Sequence, residues 1–254
     1  MITGQDVILE YALDIHRDDD LDRWGGEIGR GDFYRWKRTL QSGEADQVNY
    51  ILDNHQLSPE MSCTYGDDNN EERWYNASKI INTHTSIYKN VIEIGAGSHA
   101  RIAQHVLRNT DVQCYIICDL VSPLLLAYHN ISKQYDVHYV RHGEPLETLI
   151  DQHRCILLPH HMTDELYKIS AALYYNSYSL SEMSKDEITK YIDIILSTNS
   201  RLITENYMFG SGRCHLCNNH YTPLQEYIPD TFNILYKSLP HHPTNPGSEL
   251  LILQ

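Results

Sequence analysis

Two acidic side chains and two glycines give the sequence its clearest chemical signal. Glu93 stands just before Gly95-Ala-Gly97, and Asp119 ends the next apolar run of the chain. Glycine lets the backbone turn tightly beside a ligand, and a helix that begins there presents unpaired N–H groups. An acidic side chain at the end of the following strand is placed to accept hydrogen bonds from ribose hydroxyls. These residues predict a site for a nucleotide-type cofactor.

Buried strands and a helix must position this site. Residues 90–94 are rich in β-branched side chains without polar alternation, which is typical of a central parallel strand. Apolar residues recur at helical spacing from Ile102 to Leu107. A second apolar run, Cys114 to Cys118, lies in a predicted strand at 113–118 and leads to Asp119. The pattern predicts a strand, a glycine turn, a helix and a second strand.

The same alternation continues along the chain. Strands are predicted at 171–175 and 201–205, and a helix is predicted between them at about 185–196. Ser184 and Glu187 have the spacing of a capping box at the start of that helix. Alternating strands and helices predict a mostly parallel sheet with right-handed crossovers.

Two questions about the sheet concern its third strand and its last two strands. Either 136–140 or 155–158 supplies the third strand of the core, and the pattern does not decide between them. The runs 232–237 and 249–254 are joined by a Pro/Gly-rich link too short for a crossover helix. They are therefore expected to pair antiparallel. A dinucleotide-binding domain would instead be expected to continue into a second domain.

The first motif resembles that of class I S-adenosylmethionine-dependent methyltransferases, with Glu93 two residues before the first glycine and Asp119 at the position of the ribose-binding acid. The resemblance implies a Rossmann-like α/β fold with a mostly parallel seven-stranded sheet that ends in an antiparallel hairpin. It also implies S-adenosylmethionine as cofactor, held by Glu93, Gly95, Ala96, Gly97, Ser98, Asp119 and Leu120. The segment from Gly95 to Ala100 also satisfies the G-x-G-x-x-A fingerprint of NAD enzymes.

A second segment resembles a bacterial group of sugar O-methyltransferases. Its motif runs from Tyr175 to Met183 and includes Tyr191 and residues 204–206, and the resemblance covers about 87–210. It implies a sugar or related polar small molecule as methyl acceptor, with Asn176, Ser177 and Ser179 as substrate ligands. The alternative for these short polar side chains is that they cap the next helix and satisfy turn amides.

Methyl transfer to a hydroxyl requires alignment of the two groups and removal of the hydroxyl proton. His160 and His161 follow an apolar strand-like run, and histidine is the natural base near neutral pH. They are the first candidates for catalysis, and Glu182 is a further candidate. A divalent cation is an alternative way to activate the hydroxyl, but no ligand set for one is identified in the sequence.

The whole chain divides into two parts. Residues 1–86 read as a helical N-terminal extension or lid, with the last of its helices at 72–85. Residues 87–254 read as the cofactor-binding domain. Cys214 and Cys217 form a single CxxC with His215 and His220 nearby, and ordinary thiols are expected there rather than zinc because no second pair is present.

Composition limits the partners. The 254-residue chain has a net charge of −14, which argues against nucleic acid or an anionic membrane as main partner. No apolar run approaches the length of a membrane span and no secretory signal is visible, so a cytoplasmic protein is expected. The expected partner is a small-molecule or glycan acceptor, and a homo-oligomer is left open.

Two other functions compete with methyl transfer. An NAD-dependent oxidoreductase would use the same glycine turn and would bind nicotinamide. A non-catalytic binding subunit would keep the fold, bind cofactor at most and turn over no acceptor. The preceding Glu93 and the predicted antiparallel hairpin favour the methyltransferase.

Overall fold

The computed structural model describes residues 67–97, 100–208, 223–238 and 248–254. The α-helices in these ranges are α1 (Asp67–His84), α2 (Arg101–Asn109), α3 (Val121–Ile131), α4 (Leu146–Leu149), α5 (Ser179–Glu182) and α6 (Lys185–Ser197). Two 3₁₀ helices span His160–Lys168 and Leu224–Tyr227. The strands are β1 (Asn90–Ile94), β2 (Cys114–Asp119), β3 (Val137–Tyr139), β4 (Cys155–Pro159), β5 (Leu173–Ser177), β6 (Arg201–Tyr207), β7 (Ile234–Ser238) and β8 (Ser248–Leu253).

All eight strands belong to one sheet in the order β3-β4-β2-β1-β5-β6-β8-β7. The six strands from β3 to β6 are parallel. The strand β8 pairs antiparallel with both β6 and β7, which confirms the predicted hairpin at the end of the sheet. This is the mostly parallel Rossmann-like arrangement that the sequence predicted.

In the described ranges the sheet has eight strands rather than the seven expected, because both candidates for the third strand pair with a neighbouring strand. β4 lies directly beside β2, whereas β3 lies outside it at the edge of the sheet. β3 has only three residues, and its partner β4 is buried throughout. The core strand beside β2 is therefore Cys155–Pro159.

Helices cover both faces of the sheet. One core cluster joins α1, α2 and α3 to strand residues such as Val91 and Tyr115. The other joins α4, the 3₁₀ helix 160–168 and α6 to residues such as Ile92 and Tyr174. Neighbouring residues of β1 enter opposite clusters because side chains alternate across a strand. Both faces are thus buried, as a parallel sheet requires.

Local signals match the helices that were predicted. α2 buries Ile102, Ala103, Val106 and Leu107, the stripe that its apolar spacing indicated. At α6 the Ser184 hydroxyl accepts the Glu187 N–H while the Glu187 carboxylate accepts the Ser184 N–H, so the capping box is confirmed.

The last helix expected before the sheet is confirmed as α1, which is longer than the predicted 72–85. The helices predicted nearer the N-terminus fall in residues 1–66 and lie outside the described residues, as does the segment that holds Cys214, His215, Cys217 and His220. Among the helices that the structure describes, none has the length and apolar character needed to cross a membrane.

Candidate cofactor and acceptor site

The carboxyl ends of β1, β2, β4, β5 and β6 meet at one edge of the sheet because these strands are parallel. Chain order reverses beside β1, which has β2 on one side and β5 on the other. The crossover after β1 runs over the face covered by α2, and the crossover after β5 runs over the face covered by α6. In open α/β sheets this switch point is where ligands bind.

The glycine turn leaves β1 in a left-handed conformation. Gly95 has φ of 69° and Gly97 has φ of 65°, values that cost glycine little and other residues more. The Gly95 N–H donates to the Cys118 carbonyl at 2.8 Å, which extends the pairing of β1 with β2 by one residue. The turn is thus fixed to the neighbouring strand before α2 begins.

Asp119 closes the turn from the end of β2. Its Oδ2 accepts the Gly97 N–H at 2.9 Å, and its Oδ1 accepts the Leu120 N–H at 2.7 Å. Asp119 and Leu120 are both buried. The Asp119 carboxylate therefore lies beside the glycine turn at the carboxyl end of β2, the edge of an open α/β sheet at which ligands bind.

Glu93 lies below the turn, inside the sheet. It is 3% exposed, and its Oε2 accepts the Tyr115 hydroxyl at 2.9 Å. Burial, together with the adjacent Glu93 carboxylate, raises the pKa of Tyr115 well above its ordinary value, so the phenol stays protonated and keeps donating. The sequence did not indicate Tyr115 as the partner of Glu93, because only the pairing of β1 with β2 brings them together.

Ala96 is half-buried in the turn, between the two glycines. Ser98, the remaining predicted cofactor residue, lies outside the described residues. The described members of the predicted cofactor set therefore converge on the carboxyl ends of β1 and β2. Their assignment as cofactor ligands stays a prediction.

Asn176 and Ser179 are buried at the turn after β5. Their side chains both donate to the Ile94 carbonyl, at 2.7 Å and 2.8 Å, and Asn176 Nδ2 also donates to Ser179 Oγ. Asn176 Oδ1 accepts the Leu180 N–H at 3.3 Å. Asn176 thus accepts one amide of the turn, as the alternative expectation for these residues has it. The roles of Asn176 and Ser179 as substrate ligands stay predictions. Ser177, between them, is half-buried at the end of β5.

A second asparagine braces the same turn from β6. Asn206 Nδ2 donates to Asn176 Oδ1, and Asn206 Oδ1 accepts the Ser181 N–H at 3.2 Å and the Ser181 hydroxyl at 3.0 Å. Asn206 and Ser181 are fully buried. Polar groups at the ends of β5 and β6 thus form one internally bonded network, which fixes the turn rather than leaving it loose.

His160 begins the 3₁₀ helix after β4, and its ring points into the layer that contains α6. Its Nε2 lies 3.1 Å from Glu187 Oε1, and its Nδ1 lies 3.3 Å from the Tyr191 hydroxyl. The Tyr191 hydroxyl lies 3.2 Å from Cys118 Sγ. Both ring nitrogens of His160 therefore have protein partners, and work as a base would require one of these contacts to be exchanged for substrate.

The other two predicted catalytic residues lie in the helices that follow β4 and β5. His161 is half-buried at the next position of the same 3₁₀ helix, and Glu182 is half-buried at the end of α5. No group of three or more His, Cys, Asp or Glu side chains suited to a metal ion occurs in the described ranges. The catalytic roles of His160, His161 and Glu182 stay predictions.

Comparison with solved structures places this arrangement among known folds. An O-methyltransferase family protein from Burkholderia thailandensis superposes with a TM-score of 0.52 at 12% identity, over 98% of this chain and 71% of the other. The fold is that of the class I methyltransferases. Mitomycin 7-O-methyltransferase MmcR (TM-score 0.45, 11% identity) covers 98% of this chain and 74% of its own. The glycopeptide N-methyltransferase MtfA, solved in complex with S-adenosylmethionine, superposes with a TM-score of 0.47 at 11% identity. The match covers 77% of this chain and 97% of MtfA. No family model and no curated protein matches the sequence.

Proposed function

We propose that this protein transfers a methyl group from S-adenosylmethionine to a hydroxyl oxygen of a sugar or related polar small molecule. The observation that carries the proposal is the bond from the Gly97 N–H to the Asp119 carboxylate at the switch point of the sheet. It joins a glycine turn to a buried acid, which are the two elements needed to bind an adenosine-type cofactor by its ribose and its amino-acid end.

The described residues fit S-adenosylmethionine. Asp119 would accept the ribose hydroxyls, because its carboxylate lies beside the glycine turn at the carboxyl end of β2, where an acidic side chain can reach a ribose diol. The remaining predicted cofactor set, which is Glu93, Gly95, Ala96, Gly97, Ser98 and Leu120, would surround the rest of the molecule. When bound, S-adenosylmethionine supplies a methyl group activated by an adjacent sulfonium.

The protein's own task is then to position the acceptor and to accept its proton. The class of acceptor rests on the resemblance of residues 87–210 to sugar O-methyltransferases. His160, His161 and Glu182 remain the candidates for proton transfer. For His160, the geometry sets a condition, since its ring must first give up Glu187 or Tyr191.

Calorimetric titration of the full chain with S-adenosylhomocysteine and, separately, with NADH tests the proposal. We expect micromolar binding of S-adenosylhomocysteine and no heat with NADH. Binding of NADH alone would replace the proposal by the oxidoreductase reading of the same turn. If neither ligand binds, the result would favour a non-catalytic subunit that keeps the fold without binding the cofactor. After binding is established, transfer of labelled methyl to a panel of free monosaccharides and methyl glycosides tests the acceptor class.

A further inference from the structure

Tyr178 has an unusual backbone conformation at the edge of the sheet. It follows β5 directly and has φ of 68° and ψ of −26°. Left-handed backbone is uncommon outside glycine, asparagine and aspartate, and in a bulky residue it persists only where the surroundings hold it in place. The neighbours of Tyr178 must therefore hold its backbone in this conformation.

Glu205 holds Tyr178 through two hydrogen bonds. The Tyr178 N–H donates to the Glu205 carbonyl at 2.8 Å, and the Tyr178 hydroxyl donates to Glu205 Oε1 at 3.1 Å. Glu205 is fully buried, and it lies opposite Ser177 in the register of β5 and β6. Removing one partner of a hydrogen bond to a buried group costs free energy, because the other partner loses that bond. The end of β6 thus fixes both the main chain and the side chain of Tyr178.

The reversal at Tyr178 brings the next residue against the glycine turn. Ser179 Oγ donates to the Ile94 carbonyl at 2.8 Å, one residue before Gly95. A Cβ built on Gly95 would lie 2.1 Å from Ser179 Oγ and 2.3 Å from Ser179 Cβ. Ser179 therefore fills the space that the missing side chain of Gly95 provides. A continuous set of contacts runs from Glu205 through Tyr178 and Ser179 to Gly95.

We propose that Glu205 is a positioning residue for the cofactor turn. By holding Tyr178, its carboxylate keeps Ser179 packed on Gly95, so that the turn stays in the conformation in which the Gly97 N–H meets Asp119. The proposal rests on the proposed function, because it assigns Glu205 a role in binding S-adenosylmethionine although Glu205 lies two strands away from β1. A site held in advance loses less entropy when its ligand binds.

Two variants separate the Glu205–Tyr178 contact from general stability. Tyr178→Phe removes only the hydroxyl, and Glu205→Leu removes the carboxylate. Both are expected to weaken S-adenosylhomocysteine binding about tenfold, the effect of one lost hydrogen bond at a buried group. Glu205→Gln keeps an oxygen that accepts the Tyr178 hydroxyl, so we expect it to retain most of the affinity.

A matched control lies at the opposite end of the same strands. Ser200 is buried, and its Oγ accepts the Ala172 N–H at 3.1 Å near the amino ends of β5 and β6. Ser200→Ala should lower the melting temperature but leave S-adenosylhomocysteine affinity unchanged. Hydrogen exchange gives a readout that needs no ligand. Amides of the turn at Gly95 and Gly97 should exchange faster in Tyr178→Phe than in the wild type, and should be unaffected in Ser200→Ala.

The outcomes distinguish this proposal from the proposed function. If the wild type does not bind S-adenosylhomocysteine, the proposed function fails, while the exchange rates of the turn still test the positioning role. If the wild type binds and Tyr178→Phe and Glu205→Leu bind equally well with unchanged exchange, Glu205 does not position the turn. Should Glu205→Leu fail to fold, Tyr178→Phe alone decides.

Discussion

The Asp119 carboxylate accepts the Gly97 backbone N–H at 2.9 Å, so the end of β2 is bonded directly to the turn that follows β1. The two residues are 22 positions apart in sequence. Asp119 is also bonded to the Leu120 N–H, at the start of α3. One buried side chain therefore joins the turn, the second strand and the third helix.

Asp119→Ala should abolish binding of S-adenosylhomocysteine and lower the free energy of unfolding by about 1–3 kcal/mol, because the half-buried Gly97 N–H and the buried Leu120 N–H lose their acceptor. Asp119→Asn keeps one acceptor oxygen, so it should lower stability less than Asp119→Ala while still weakening the binding of S-adenosylhomocysteine. Calorimetric titration and urea unfolding measure the two effects. Wild-type affinity in Asp119→Ala would remove Asp119 from the cofactor site.

Gly95→Ala should lower the stability of the protein more than Gly143→Ala does, although both glycines have positive φ. At Gly143 an added Cβ meets nothing within 4 Å, so only backbone strain of about 1–2 kcal/mol is expected. At Gly95 the same strain is joined by overlap with Ser179, and we expect a larger loss of stability together with loss of cofactor binding. Thermal unfolding and ligand titration of the two variants provide the comparison.

A second substitution can relieve the Gly95→Ala defect if steric overlap is its cause. Both Oγ and Cβ of Ser179 lie too close to an added methyl group, so Ser179→Gly makes room whereas Ser179→Ala does not. We expect Gly95→Ala/Ser179→Gly to recover part of the lost melting temperature and Gly95→Ala/Ser179→Ala to recover none. Equal behaviour of the two double variants would attribute the defect to backbone strain.

Glu187 should stabilise the fold at neutral pH, and this contribution should be lost in acid. Its hydrogen bond with His160, helped by those with Ser184, lowers the pKa of Glu187 below its ordinary value of 4.5 even though burial acts in the opposite direction. A lowered folded-state pKa stabilises the fold above the unfolded-state pKa, and this contribution is lost as pH falls through the folded-state value. Stability from Glu187 is thus complete at neutral pH and declines below about pH 4.5.

Glu187→Gln measures this contribution. The amide retains the capping box but not the charge, so we expect a loss of about 1–2 kcal/mol at pH 7 that shrinks as the pH is lowered toward 3. Asp186→Asn, an exposed carboxylate in the same helical turn, should cost a few tenths of a kcal/mol at most (~0.3–0.5). Urea unfolding across this pH range gives both values. If the free energies of unfolding of wild type and Glu187→Gln differ by the same amount at every pH, the pH-dependent contribution is not due to the Glu187 carboxylate.

Tyr115→Phe should destabilise the protein by about 1–3 kcal/mol, because Glu93 loses a buried donor. Combining it with Glu93→Gln should cost less than the sum of the single changes, since the two residues interact directly. Tyr88→Phe, which removes the hydroxyl of another buried tyrosine just before β1, is the control for loss of a phenol oxygen. Additive effects of the Tyr115 and Glu93 changes would contradict the coupling.

The parts of the fold that local sequence predicts are those whose signals are local. β1 follows from a run of β-branched residues and α2 from apolar spacing, while the start of α6 follows from Ser184 and Glu187. The third strand could not be chosen, because the runs 136–140 and 155–158 both read as strands. Their order depends on which of them pairs with β2, and that is a contact between distant segments.

The site shows the same division. The sequence placed Asn176 and Ser179 at the end of a strand, yet it could not tell a substrate ligand from a turn-forming side chain, because the carbonyl that they contact belongs to Ile94 on another strand. His160 was likewise predicted from its position after an apolar run. Its partners Glu187 and Tyr191 come from a helix packed on the sheet, and no spacing in the sequence indicates that contact.

The sequence by itself determined the alternation of strands and helices, the glycine turn and the acid at the end of the second strand, because each depends on residues near one another in the chain. Only the tertiary structure decided what the polar side chains contact: Tyr115 on Glu93, Ser179 against Gly95, and Glu205 on Tyr178. Such contacts form when strands far apart in sequence are paired in register. The register fixes which side chains share a face, and a residue's own type does not reveal it.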